Sequence, residues 1–196
     1  YKDKEYQAEA DYVSGLIKTF YPGAQFILEL GSGTGIHALL LAKKGFSVKG
    51  VERSPKMFDK SQHLIQKQNG NERGRLSFIQ GDIRNIRLPE RFDAVIALFH
   101  VISYQTTNED VIKALQTAHQ HLNPGGIFIF DVWYGPAVLT DRPTIRIKRM
   151  ANDEIDITRL AEPMIYPNEN RVDVQYHILV REKATNIVKE LRELHS

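Results

Sequence analysis

The sequence predicts an α/β fold, a parallel sheet with helices on both faces followed by a small antiparallel β unit. Three observations predict it. Between residues 26 and 132, short apolar runs alternate with segments of helical period. The first junction between such a run and a helix reads Gly31-Ser32-Gly33-Thr34-Gly35. Past Trp133 the period shortens to two, and no long helical pattern returns.

The elements follow in order. Apolar residues at Tyr6, Ala10, Val13, Leu16, Ile17 and Phe20 predict a helix over 3–20, stopped by Tyr21-Pro22-Gly23. Phe26 to Leu30 reads as a strand and Ile36 to Lys44 as a helix closed by Gly45. A second strand spans Phe46 to Val51, and a helix runs from Pro55, with proline in its first turn, to about Asn69. Leu76 to Gln80 and Phe92 to Leu98 are further strands. Glu109 to Leu122 is helical, Asn123-Pro124-Gly125-Gly126 a turn, and Ile127 to Val132 a fifth strand. Strands and helices alternating at this pitch build parallel βαβ units. After them, Thr144–Met150, Ile155–Leu160, Arg171–Val180 and Ile187–Leu194 alternate apolar and polar residues between turn-forming stretches, as an antiparallel meander with one wet face does. The expected domains are therefore 1–143 and 144–196.

Composition narrows the function classes. The chain has 196 residues, 42% hydrophobic and 26% charged, an ordinary globular balance. Its 26 basic and 24 acidic residues leave a net charge of +2, against a nucleic-acid binder that relies on a broad basic face. No apolar run reaches the roughly 18 residues of a membrane span, and no export signal is visible, so the cytoplasm is the default expectation. There is no cysteine, which excludes disulfides, thiolate metal sites and cysteine nucleophiles. His119 and His121 sit at a helix end without a carboxylate in local sequence; surface positions and no metal are expected for them. The chain opens at Tyr1 and stops at Ser196 within an ordered pattern, so missing residues at either end are expected.

Ile27-Leu28-Glu29-Leu30-Gly31-Ser32-Gly33-Thr34-Gly35 carries the chemistry. Glycines between a strand and a helix permit positive φ and let a ligand approach the backbone. The plain alternative is a tight turn without ligand, but three alternating glycines are costly unless something fills the space. Gly33-Thr34-Gly35-Ile36-His37-Ala38 also fits the dinucleotide fingerprint, which keeps a nicotinamide-dependent oxidoreductase open. Glu52, at the end of the second strand, suits a ribose diol in either case.

Glu29-Leu-Gly31-Ser-Gly33-Thr-Gly35 resembles the first motif of the class I S-adenosylmethionine-dependent methyltransferases, which have a Rossmann-like fold. Val51-Glu52-Arg53-Ser54-Pro55-Lys56-Met57 resembles their second motif, whose acid holds the ribose. Gln80-Gly81-Asp82-Ile83 resembles the third, where the acid meets the adenine amine. Phe92 to Ile96 and Leu122 to Gly126 resemble the later landmarks. An adenosine without phosphates calls for carboxylates at its hydroxyls and amine, and Glu29, Glu52 and Asp82 at consecutive strand ends supply them. The resemblance implies an S-adenosyl-L-methionine site of Tyr6, Glu29, Gly31, Ser32, Gly33, Gly35, Glu52, Arg53, Met57, Gly81, Asp82, Ile83, Leu98 and Phe99, with Tyr6 closing over the cofactor.

Methyl transfer from a sulfonium is an in-line displacement governed by positioning, and a nitrogen acceptor must first lose a proton. The end of the fourth strand, Phe99-His100-Val101-Ile102-Ser103-Tyr104-Gln105, is where such a base belongs; Tyr104 and His100 are the catalytic candidates, with a backbone-capping loop histidine as the plain reading of His100. This stretch, Asp131-Val132-Trp133-Tyr134, the meander and Glu193-Leu194-His195 resemble the sugar-nucleotide N-methyltransferases, which dimethylate nucleotide-linked deoxyaminosugars. That resemblance implies a β lid, an aromatic pair after the fifth strand (plain core in the simpler reading) and two further sheet strands beyond the lid. It departs at the base, where the subfamily's histidine is matched here by Tyr104. The expected partner is a small-molecule methyl acceptor, amine more than hydroxyl, with no nucleic acid or membrane and with a homodimer left open. A non-catalytic S-adenosylmethionine-binding protein is the alternative from another class.

Overall fold

The computed structural model describes residues 5–196, so residues 3 and 4 of the expected first helix lie outside the described residues. The chain forms two compact units, 1–132 and 133–196. The first contains α1 (Tyr6–Phe20), β1 (Phe26–Leu30), α2 (Ile36–Lys43), β2 (Ser47–Glu52), α3 (Pro55–Gln66), β3 (Leu76–Gln80), β4 (Phe92–Ala97), α4 (Asn108–His121) and β5 (Leu122–Phe130).

Its five strands are all parallel and lie in the order β3-β2-β1-β4-β5. Alternate residues of a strand face opposite sides of the sheet, and both sides are filled. Ile27, Ala94 and Ile96 pack with Val13 and Ile17 of α1 and Ala38 and Leu41 of α2. Leu28, Leu30, Val95 and Ala97 pack on the other side with Ala114 and Ala118 of α4. This double burial is why the central strands read as continuous apolar runs.

Polar groups tie the sheet at the end opposite its strand tips. Asp93 accepts the N–H groups of Gln25 at 2.8 Å and Phe26 at 3.0 Å, and the Asn123 amide at 2.9 Å, joining the starts of β1, β4 and β5. Asn123–Gly126, expected as a turn, is an irregular opening of β5; Phe92 pairs with Leu122, and regular pairing resumes at Ala94 with Ile127. His121 corrects an expectation. It is buried, not at the surface; its Nδ1 lies 2.7 Å from the Thr117 carbonyl, and its Nε2 accepts the Leu88 N–H at 2.8 Å. The last turn of α4 faces the 83–90 connection, and the imidazole satisfies a backbone donor there.

The second unit contains α5 (Gly135–Thr140), which the sequence pattern did not signal, and the meander β6 (Arg146–Ala151), β7 (Ile155–Tyr166), β8 (Arg171–Glu182) and β9 (Val188–His195), antiparallel in that order. β7 runs past its expected end at Leu160, through Pro163. The proline is tolerated because β6 pairs only as far as Ala161, so its missing N–H falls on an open edge. Among the described residues no helix is long and apolar enough to cross a membrane.

Candidate functional site

In an open parallel sheet, ligands bind beyond the strand tips where the connections diverge to opposite sides. Here that point lies between β1 and β4, since β1 connects onward to β2 on one side while β4 lies on the other. The loops leaving these two strands are the glycine loop and residues 98–105.

The glycine loop is anchored from β2. The N–H groups of Gly31 and Ser32 both donate to the Val51 carbonyl, at 2.8 and 3.0 Å. Gly31 has φ +72°, and a Cβ there would strike the Val101 side chain. Gly33 differs. Its φ is +56°, yet a Cβ there would meet nothing within 4 Å. Glycine is kept at position 33 by its left-handed backbone, and it leaves bare space above the loop. Gly35 caps the N-terminus of α2 in the same conformation.

Glu52 ends β2 with both carboxylate oxygens directed by backbone. One oxygen accepts the Gly33 N–H at 2.8 Å and the other the Ser54 N–H at 2.7 Å. Asp82, two residues past β3, receives Arg84 through N–H at 2.9 Å, Nε at 3.0 Å and a terminal nitrogen at 2.6 Å. Those hydrogen bonds outweigh its burial and hold its carboxyl below the usual range, so it stays ionised. Arg53 lies 3.9 Å from the same carboxylate, and Arg84 also reaches Asp110 at 3.1 Å. Gly81 fits tightly against Ile86, and Ile83 is buried among the core residues.

Glu29 is only 1% exposed, beneath the loop, with a carboxylate oxygen 3.8 Å from His37 Nδ1. The other ring nitrogen of His37 lies 2.7 Å from Glu9 of α1, and the Tyr6 ring meets the imidazole edge-on at a centroid distance of 5.1 Å. Tyr6, Glu9, His37 and Glu29 thus form one polar column joining α1 to α2 and β1. The Ser32 hydroxyl is buried without a hydrogen-bond partner.

After β4, Phe99 and His100 take φ values of +66° and +62°, two consecutive non-glycine residues in the left-handed region. Each such residue costs on the order of 1–3 kcal/mol and persists only where its surroundings hold it there. Asp131, just past β5, holds His100 there. Its Oδ2 accepts the His100 N–H at 3.0 Å and lies 2.9 Å from His100 Nδ1, a charge-pairing distance without hydrogen-bond alignment. A short 3-10 turn, Ile102–Tyr104, follows and leaves Tyr104 52% exposed.

The expected residues therefore gather in three groups: the glycine loop with Glu52, the Asp82 segment with Arg53, and the 98–104 loop. Leu98 packs against the core, Phe99 is exposed, and Met57 is exposed in the first turn of α3. Trp133 and Tyr134 are exposed in the second unit. Asp131, His37 and Glu9 belong to the arrangement but were not singled out by sequence. An acid at the tip of the strand beside β4 was the available signal for Asp131.

A family model described as a methyltransferase domain matches residues 27–126. The chain is 25% identical over 177 residues to the dTDP-3-amino-3,4,6-trideoxy-alpha-D-glucopyranose N,N-dimethyltransferase of Streptomyces venezuelae, covering 90% of this chain and 71% of that protein. It is also 25% identical over 177 residues to the dTDP-4-amino-2,3,4,6-tetradeoxy-D-glucose N,N-dimethyltransferase of Saccharopolyspora spinosa, covering 90% and 68%. Among solved structures it is similar to the sugar N-methyltransferase KedS8 from Streptoalloteichus, with TM-score 0.84, 23% identity, and 98% and 72% of the two chains covered.

Proposed function

Because this chain belongs to the methyltransferase-domain family, we propose that it transfers the methyl group of S-adenosylmethionine to the amine of a nucleotide-linked amino sugar. Family membership sets aside the nicotinamide-dependent alternative. One observation carries the cofactor assignment: Glu52 and Asp82 stand at neighbouring strand tips beside a loop that is bare at Gly33.

The residues present fit an adenosyl group. Glu52, fixed by the Gly33 and Ser54 N–H groups, retains acceptor capacity for two ribose hydroxyls. Asp82, held ionised by Arg84, accepts the adenine amine, with the exposed Met57 flanking the ring. The buried Ser32 hydroxyl, without a partner in the protein, is available to a ligand polar atom. Glu29, a carboxyl buried under the loop, offers acceptor oxygens that suit a ligand's donors rather than a pyrophosphate. Tyr6, beside His37, covers this end.

When bound, the cofactor supplies a methyl carbon made electrophilic by its sulfonium. The protein's own work is to orient the acceptor and take its proton. A protonated amine has no lone pair, so the proton leaves before the new N–C bond forms. His100 accepts it, and the Asp131 carboxylate 2.9 Å from its Nδ1 stabilises the imidazolium that results. Tyr104, exposed in the following turn, lines the acceptor side. The nucleotide-linked amino sugar is supported by the names of the two relatives aligned over most of the chain.

Incubation with methyl-labelled S-adenosylmethionine tests the reading. Label should pass to a dTDP-linked amino sugar and not to the matching sugar nucleotide with hydroxyl in place of amine. Tight cofactor binding with no labelled product from any amino-sugar nucleotide would favour the non-catalytic alternative instead.

A further inference from the structure

Asp82 is gripped by a residue only two positions away. The Arg84 N–H and Nε both donate to its Oδ1, at 2.9 and 3.0 Å, and a terminal nitrogen of Arg84 donates to its Oδ2 at 2.6 Å. The first of these bonds is the local turn that an aspartate makes with the backbone two residues on. The N–H groups of Asn85 and Ile86 donate to the Asp82 carbonyl, at 3.1 and 2.9 Å, and close the same turn. The Gly81 N–H donates to the Glu52 carbonyl at 3.0 Å, which sets Asp82 beside the tip of β2. The other arm of the Arg84 guanidinium reaches Asp110, in the first turn of α4, at 3.1 Å. That turn is itself fixed by Thr107, whose hydroxyl accepts the Asp110 N–H at 3.1 Å. Arg84 therefore spans two carboxylates on separate elements, and neither can turn without disturbing its fork.

An ionised carboxylate offers about four acceptor positions. Arg84 fills two on Oδ1 of Asp82 and one on Oδ2. Arg53, 3.9 Å from Oδ2, is too distant for a hydrogen bond. One position remains, on Oδ2, in a carboxylate that stays ionised and is held in one orientation. Such a group takes a single N–H donor and repels an acceptor lone pair, and a site built for a donor rejects the analogue that lacks it.

We propose that Arg84, backed by Asp110, is a positioning residue that makes the adenine end of the site selective for a 6-amino purine over a 6-oxo purine. The inference rests on the cofactor reading above, in which Asp82 meets the adenine amine. Arg84 acts through Asp82 by fixing the direction of its open lone pair. Without the fork the carboxylate rotates and hydrates, and it accommodates either base.

Calorimetric titration of the full chain with S-adenosylhomocysteine and with its 6-oxo analogue, S-inosylhomocysteine, tests it. The parent should prefer the 6-amino ligand about 10-fold or more, as one hydrogen bond to a charged group supplies. Arg84→Met should weaken S-adenosylhomocysteine, leave the 6-oxo analogue nearly unchanged and bring the ratio of affinities toward one. A role confined to folding would weaken both ligands alike and keep the ratio. Arg84→Lys, which retains the charge and loses the fork, should also lower the ratio. Asp110→Asn, which releases one arm of the guanidinium, should lower it less, and it carries the test if the Arg84 variants do not fold. A ratio unchanged in Arg84→Met, or in Asp110→Asn where Arg84→Met does not fold, overturns the inference and leaves the cofactor reading standing. Equal binding of the two ligands by the parent, or binding of neither, overturns it together with the assignment of adenine to Asp82.

Discussion

Asp131 Oδ2 accepts the backbone N–H of His100 at 3.0 Å and lies 2.9 Å from its Nδ1. One carboxylate thus supports a strained backbone and charges the environment of the ring attached to it. The two roles separate by substitution. Asp131→Asn can still accept the N–H through its side-chain oxygen but cannot stabilise an imidazolium. It should lower kcat with little change in the KM for S-adenosylmethionine, whereas Asp131→Ala should also destabilise the fold. His100→Asn, a residue that tolerates the left-handed region, should lower kcat about 100-fold or more with little change in S-adenosylhomocysteine binding. An unchanged kcat would remove His100 as the base and leave Tyr104 as the remaining candidate.

Glycine substitutions should divide by location. Gly33→Ala strains a left-handed backbone, costing about 1–2 kcal/mol, and puts a methyl group into open space. Its larger effect should appear in cofactor binding, measured by calorimetry with S-adenosylhomocysteine. Gly31→Ala collides with Val101, so its larger effect should be a lowered Tm.

Glu52→Ala should weaken S-adenosylhomocysteine by about 1–3 kcal/mol, the cost of leaving ligand hydroxyls unpaired. Glu52→Gln keeps an acceptor oxygen and should lose less. Undiminished binding in Glu52→Ala would refute the ribose assignment.

Acid stability should depend on Asp93. Burial pushes its carboxyl up, and the N–H groups of Gln25 and Phe26 with the Asn123 amide outweigh this, leaving it below the ordinary value. A lowered folded-state value means that the stabilisation is present above the unfolded carboxyl value, about 3.9. It is lost as pH falls through the folded value. Thermal melts of Asp93→Asn should show lower stability at neutral pH and a shallower loss toward acid; parallel curves for parent and variant would contradict the assignment.

Much of this was legible in the sequence because it is local. The parallel strands declared themselves as doubly buried apolar runs, and the glycine loop and its acids sit at strand ends that periodicity locates. What sequence missed depends on neighbours in space. His121 reads as a surface helix residue until the 83–90 connection is laid against it. Asp131 has no local mark tying it to His100, 31 residues away. β7 seemed to end before Pro163, since only the register shows that β6 leaves that edge open.

If an adenosine sits between Glu52 and Asp82 above Gly33, a crystal structure with saturating S-adenosylhomocysteine will show it there. Density should place the ribose hydroxyls within hydrogen-bond distance of Glu52 and the adenine amine at Asp82. Density for the ligand elsewhere, or none in this cleft, would contradict it.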